Sequence, residues 1–208
     1  MFERVFKRLI LAAACLAVLF FPARADAHLV TTGLGPVYDG IGHFFLSPGD
    51  ALAALALALL AGLRGTAAGR RALFILPVAW FAGGLAGLTT TGWASPPEEI
   101  VGALSLLLLG IFIATDIALP AAAVAILAAL IGGTHGFFNG VGMHEAGTGT
   151  GVLQLIGVAV TLFVLVALAS ALAVTAKPMW ARIVVRVAGS WIGASGLLWT
   201  GWVLHGLK

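Results

Sequence analysis

Five histidines occur in this sequence, and several stand beside acids or amides at helical spacing. Asp39 and His43 are four residues apart, and Asp50 follows seven after His43. On one unbroken helix the three would share a face. His135 and Asn139 repeat the four-residue interval, with His144 and Glu145 just beyond. Two ligand-capable side chains stacked one turn apart are what a metal site in a helix bundle requires. Imidazole, carboxylate and amide donors suit hard-to-borderline divalent cations. Asp39 and His43 are also flanked by Phe44, Phe45 and Leu46, where an ionisable group is costly to desolvate. Such groups are expected to pair, bind an ion or line a pathway.

The candidate metal ligands are therefore His28, Asp39, His43, Asp50, His135, Asn139, His144 and Glu145. Some have a second reading. Asp50 sits three residues after Ser47 in Ser47-Pro48-Gly49-Asp50, where it can equally cap a helix start. His144 and Glu145 precede a Gly-Thr-Gly-Thr-Gly run and suit an exposed loop or gate, and His205 near the C-terminus reads as interfacial. The sequence carries no phosphate-binding Walker loop, no Gly-x-Ser-x-Gly elbow, no His-Glu-x-x-His and no Cys-x-x-Cys-His. Enzymatic chemistry is not expected, nor is a tightly bound cofactor.

The elements that must position these residues are membrane helices. The chain of 208 residues is 61% hydrophobic and 9% charged, with a mean hydropathy of +1.11, which excludes a soluble globular domain. Apolar runs over 50–63, 72–91, 100–118, 121–138, 152–176 and 184–204 predict an all-α bundle of about six spans. The first run is short. Its 14 residues cover about 21 Å of a hydrocarbon core about 30 Å thick. The preceding segment 36–46 is mostly apolar, so a broken helix or interfacial turn is expected at Ser47-Pro48. Interrupted helices at membrane depth often mark substrate sites, because protein or a watery cavity must cover the freed backbone.

Arg4, Lys7 and Arg8, the apolar stretch 9–21 and Ala25-Asp26-Ala27 together form a signal peptide with its cleavage site. Residues 1–27 are then lost, taking with them Cys15, the lone cysteine, and 28–208 remain as a single six-span domain. His28 would become the amino terminus, where α-amine and imidazole can chelate Cu(II) or Ni(II). Arg64, Arg70 and Arg71 follow the first span, and Lys177, Arg182 and Arg186 lie between the fifth and sixth. Glu98, Glu99 and Glu145 occupy the opposite loops. Basic loops stay cytoplasmic, so both mature termini and all five histidines fall on or near the periplasmic side of a bacterial inner membrane. The net charge of +3 thus reads as topology, with no call for nucleic acid. The connection near Asp116 and Pro120 has no base of its own to orient it.

At these residues the chain resembles the HupE/UreJ family of membrane proteins, which is associated with hydrogenase and urease systems and regarded as nickel permeases or accessory proteins. The family's His-Pro-x-x-Gly-x-Asp-His element is similar to a stretched version running from His43 through Ser47-Pro48-Gly49-Asp50, with Ala51 where the second His would stand. Its His-Gly-x-x-His-Gly with a following Glu is similar to His135-Gly136-Phe137-Phe138-Asn139-Gly140 with Glu145, and Asn139 replaces the second His. The resemblance implies a permease or binding protein for a divalent transition-metal ion, nickel first, with cobalt or copper as alternatives. The other reading is a non-transporting accessory subunit of a metalloenzyme or metal-uptake system. The bilayer, the ion and such a metalloenzyme or uptake protein are the expected partners.

Amino-terminal sequencing of the protein recovered from membranes is expected to begin at His28; recovery of Met1 would remove both the cleavage and the terminal chelate.

Overall fold

The computed structural model describes residues 32–90 and 96–206. The proposed signal peptide, Cys15 and His28 lie outside the described residues. Among the described residues the regular structure is helical. Helix α1 spans Pro36–Leu46, α2 Pro48–Leu63, α3 Thr66–Leu88, α4 Pro96–Ala114, α5 Ala121–Met143, α6 Thr148–Thr175 and α7 Met179–Gly206, with a short 3-10 turn His144–Ala146 between α5 and α6. Each apolar run of the sequence became a helix. Helices α3 to α7 are long and apolar enough to cross a bilayer, and α1 with α2 can form a sixth, broken span. The molecule is a polytopic membrane helix bundle.

The break lies where Pro48 requires it. Proline lacks an N–H and pushes the residue before it out of the helical region. Ser47 accordingly has φ −99° and ψ 83°, closing α1 through its own N–H to the His43 carbonyl at 3.0 Å. The two helices meet at 80°. Pro48 occupies the first position of α2 behind Ser47, whose side chain makes no capping hydrogen bond. Asp50 falls in the first turn of α2.

In lipid there is little hydrophobic force between helices, so close van der Waals approach matters most, and small residues permit it. The tightest pair is α3 with α5. A Cβ on Gly136 would lie 2.0 Å from the Trp80 carbonyl oxygen, and one on Gly140 would lie 2.0 Å from that of Gly84. Only glycine lets these backbones meet. Similar contacts join α1 to α6 at Gly40 and α4 to α7 at Gly110. Trp80 and Phe44 are fully buried between these layers, edge to face with ring centroids 6.2 Å apart.

One end of the bundle gathers the basic residues. Asp116, in the connection between α4 and α5, accepts from Arg64 and, at 2.8 Å, from Arg182. Arg186 donates from Nε to the Ala114 carbonyl at 2.9 Å. The connection that had no base of its own is therefore held at the end that carries the arginines. Asp116 has a left-handed φ of 53°, a conformation that costs a non-glycine residue about 1 kcal/mol or more. The two arginines hold it there. Partial burial would raise the Asp116 pKa, but hydrogen bonding from Arg182 and the charges of Arg64 and Arg182 outweigh it and leave it below the usual aspartate value.

Gly136→Ala should separate α3 from α5 and cost about 1–3 kcal/mol, as overpacking does. Gly133→Ala, where no atom lies within 4 Å of the added Cβ, should leave thermal unfolding in detergent unchanged; equal midpoints for the two variants would refute close packing at Gly136.

Candidate functional site

At the end of the bundle opposite the arginines, α2 to α5 each send a polar side chain to one point. Asp50 comes from the first turn of α2, Trp80 from α3, Ser105 from α4, and His135 and Asn139 from α5. The four-residue spacing puts His135 above Asn139 on the face of α5 that looks inward, and both are 4% exposed. The Asp50 carboxylate bridges them. Oδ1 lies 2.7 Å from His135 Nδ1, and Oδ2 accepts from the Asn139 amide at 2.7 Å. Asn139 Oδ1 accepts from the Trp80 indole N–H at 3.1 Å. His135 Nε2 lies 3.1 Å from Ser105 Oγ, which itself donates to the Val101 carbonyl at 2.7 Å. The Trp80 and His135 rings lean together with centroids 5.3 Å apart.

This network floors a cavity of about 820 Å³. His43 on α1, Pro48 and Gly49 at the break, Glu98 and Glu99 in the first turn of α4, and Trp199 on α7 line it as well. Among the described residues its charged and titratable lining is thus two imidazoles and three carboxylates, with no Lys or Arg. A carboxylate oriented against one nitrogen of a histidine is the arrangement that surrounds metal-ligating imidazoles. Asp50, His135 and Asn139 could hold a metal ion only by exchanging some of these hydrogen bonds for metal bonds. Among the described residues no group of three or more His, Cys, Asp and Glu stands ready to hold one.

The remaining candidates are dispersed. Asp39 is buried, but its Oδ1 accepts from the Thr32 N–H at 2.5 Å and from the Thr32 hydroxyl at 2.7 Å, and it does not line the cavity. The break at Ser47 turns α2 away from α1, so the face that Asp39, His43 and Asp50 would share on a straight helix is divided. His144 donates from Nδ1 to the Leu88 carbonyl at 2.6 Å, satisfying the end of α3. Glu145 is exposed on the 3-10 turn, outside the cavity. His205 lies exposed in the last turn of α7. His28 lies outside the described residues.

Sequence reasoning did not assign Trp80, Glu98, Glu99 or Trp199 to the site. An indole N–H inside a bilayer needs an acceptor, which was a usable signal for Trp80. Glu98 and Glu99 were read only as acids of a loop opposite the basic ones, and Trp199 carried no signal within its apolar run.

The family model described as HupE / UreJ protein matches residues 16–199. The chain belongs to the HupE/UreJ family. It is 28% identical over 185 residues to the protein named Protein HupE from Rhizobium leguminosarum bv. viciae, covering 87% of this chain and 92% of that one. No solved structure matches the chain. The family is one of accessory membrane proteins linked to nickel, hydrogenase and urease. Both segments that carried the resemblance, at the break and at His135 to Asn139, meet in the network around Asp50.

Asp50→Ala should leave the His135 and Asn139 donors buried without their acceptor, costing about 1–3 kcal/mol. Asp50→Asn, which keeps one acceptor oxygen, should cost less. Thermal unfolding in detergent reads both, and midpoints equal to the parent protein would show that the network does not hold α2 against α5.

Proposed function

We propose that this protein binds and transports a divalent transition-metal ion, nickel first and cobalt or copper as alternatives, capturing it from the periplasm at the Asp50–His135 cavity. The observation that supports this most is the meeting of an acid from a broken span with a buried histidine, inside a cavity whose titratable lining, among the described residues, is otherwise acid and imidazole. A carboxylate and an imidazole held 2.7 Å apart bind each other through a proton, and a divalent ion can replace that proton as the bridge. Asn139, in the place of the family's second histidine, supplies a carbonyl oxygen as a weaker third donor. His43 on the cavity wall supplies a second imidazole, and His28, once cleavage makes it the amino terminus, is a further candidate donor.

The excess of Lys and Arg supports a cytoplasmic position in a bacterial inner membrane for the Arg64–Asp116–Arg182 end, with the cavity opening to the periplasm. A specific observation favours the accessory reading. Between Asp50 and Arg64 along α2, and between Ser105 and Asp116 along α4 and the start of its connection to α5, the chain carries no ionisable residue. Leu57, Leu60, Leu109 and Ile113 fill that depth and are fully buried. A path to the cytoplasm therefore requires these helices to part. A protein that only receives metal, or presents it to a metalloenzyme or uptake partner, does not.

Binding titrations with nickel chloride on the purified protein should show at least a hundredfold loss for His135→Ala and for His43→Ala, and less than a twofold change for His205→Ala. Equal affinity in all three would leave the histidines structural. Nickel uptake into vesicles reconstituted with the parent protein supports transport; tight binding without uptake supports the accessory reading.

A further inference from the structure

The cavity is large for an ion. A divalent cation with six waters at about 2.1 Å occupies a sphere of about 3.5 Å radius, roughly 180 Å³. The cavity holds about 820 Å³, within the range of about 300–1,000 Å³ typical of sites that enclose small organic molecules. Its walls suit such an occupant. Leu46, Leu52, Phe138 and Trp199 supply apolar surface on several sides, while Glu98 and Glu99 stand on the wall formed by the first turn of α4.

The floor has few donor atoms to spare. Both Asp50 oxygens, both His135 nitrogens and both polar atoms of the Asn139 amide already have partners within the network. A bare ion, stripped of its waters, would need three or more protein ligands, and so would dismantle most of these bonds at once. An ion that arrives with most of its coordination sphere filled needs only one new bond, to Asp50 or His135, and opens a single link. Charge narrows the choice of carrier. Among the described residues three carboxylates and no Lys or Arg line the cavity, which disfavours an anionic complex relative to a neutral or cationic one.

We propose that the cargo enters as a metal chelate: a divalent transition metal held by a small amino-acid-like molecule through amine, carboxylate or imidazole donors, with neutral or positive net charge. The proposal rests on the metal-binding reading given above. Asp50 or His135 replaces one water or one chelator donor on the ion. The chelator's carbon skeleton lies against the apolar wall, and its amine N–H groups face Glu99.

Calorimetric titration of the purified full-length protein separates the possibilities, using nickel chloride, the nickel complex of two histidines, nickel citrate, and histidine alone. The histidine complex is expected to bind at least tenfold more tightly than nickel chloride, and isotopically labelled histidine should remain with the protein in step with nickel. The citrate complex and metal-free histidine should not bind. Nickel chloride binding as tightly as the histidine complex, or nickel retained without labelled histidine, overturns the chelate while leaving the metal reading intact. Citrate binding equal to histidine overturns the charge selection. Absence of binding by every nickel species removes both readings. Gly142 supplies a second variant, because it lines the cavity and no atom lies within 4 Å of a Cβ built there. Gly142→Phe should bring the ratio of chelate to bare-ion affinity down to about one by filling open space, and an unchanged ratio would mean that the cavity's size plays no part.

Discussion

A carboxylate at the start of a membrane helix must be solvated, paired or neutralised, and Asp50 is paired. Its two oxygens take the His135 ring and the Asn139 amide from α5, so one side chain fastens the inner half of a broken span to a different helix. The pairing in turn orders its surroundings. Asn139 is free to offer its carbonyl to the Trp80 indole, and Ser105 stands against the far nitrogen of His135. Removing the acid would strand donors in a region where replacement by water is costly.

The bundle around this point divides its chemistry between two ends. Glycine contacts between α3 and α5 bring those backbones together and aim His135 and Asn139 inward rather than at lipid. At the opposite end Asp116 is held between Arg64 and Arg182, joining the end of α2, the α4–α5 connection and the start of α7. Fully buried leucine and isoleucine separate the two ends. The cavity is thus open on one side and closed by apolar packing and an ionic cluster on the other.

Much of this organisation was legible along the chain. Hydropathy located all six helical runs because a membrane span must be apolar over nearly its whole length. The Ser47-Pro48 break was legible because proline acts on its immediate neighbours, and the charge asymmetry because topology is recorded in loop composition. The family was legible because its two motifs survive with Asp50, His135 and Gly136 in place. The i, i+4 spacing correctly put His135 and Asn139 on one face, since both lie within one uninterrupted helix.

Which residues meet was another matter. Asp39 satisfies Thr32, and His144 ends α3, although both stood with His135 among the candidate ligands in the sequence. Trp80 reaches the network from α3, and Glu98, Glu99 and Trp199 reach the cavity from α4 and α7, at separations that no local pattern records. The sequence by itself determined the helices, their break and the sign of charge at each end, because hydropathy, proline geometry and loop charge act over a few residues. Only the tertiary structure decided that Asp50 joins His135, 85 positions further along the chain, because that pairing depends on the 80° turn at Ser47 and on glycine contacts that fix how α5 is rotated against α3.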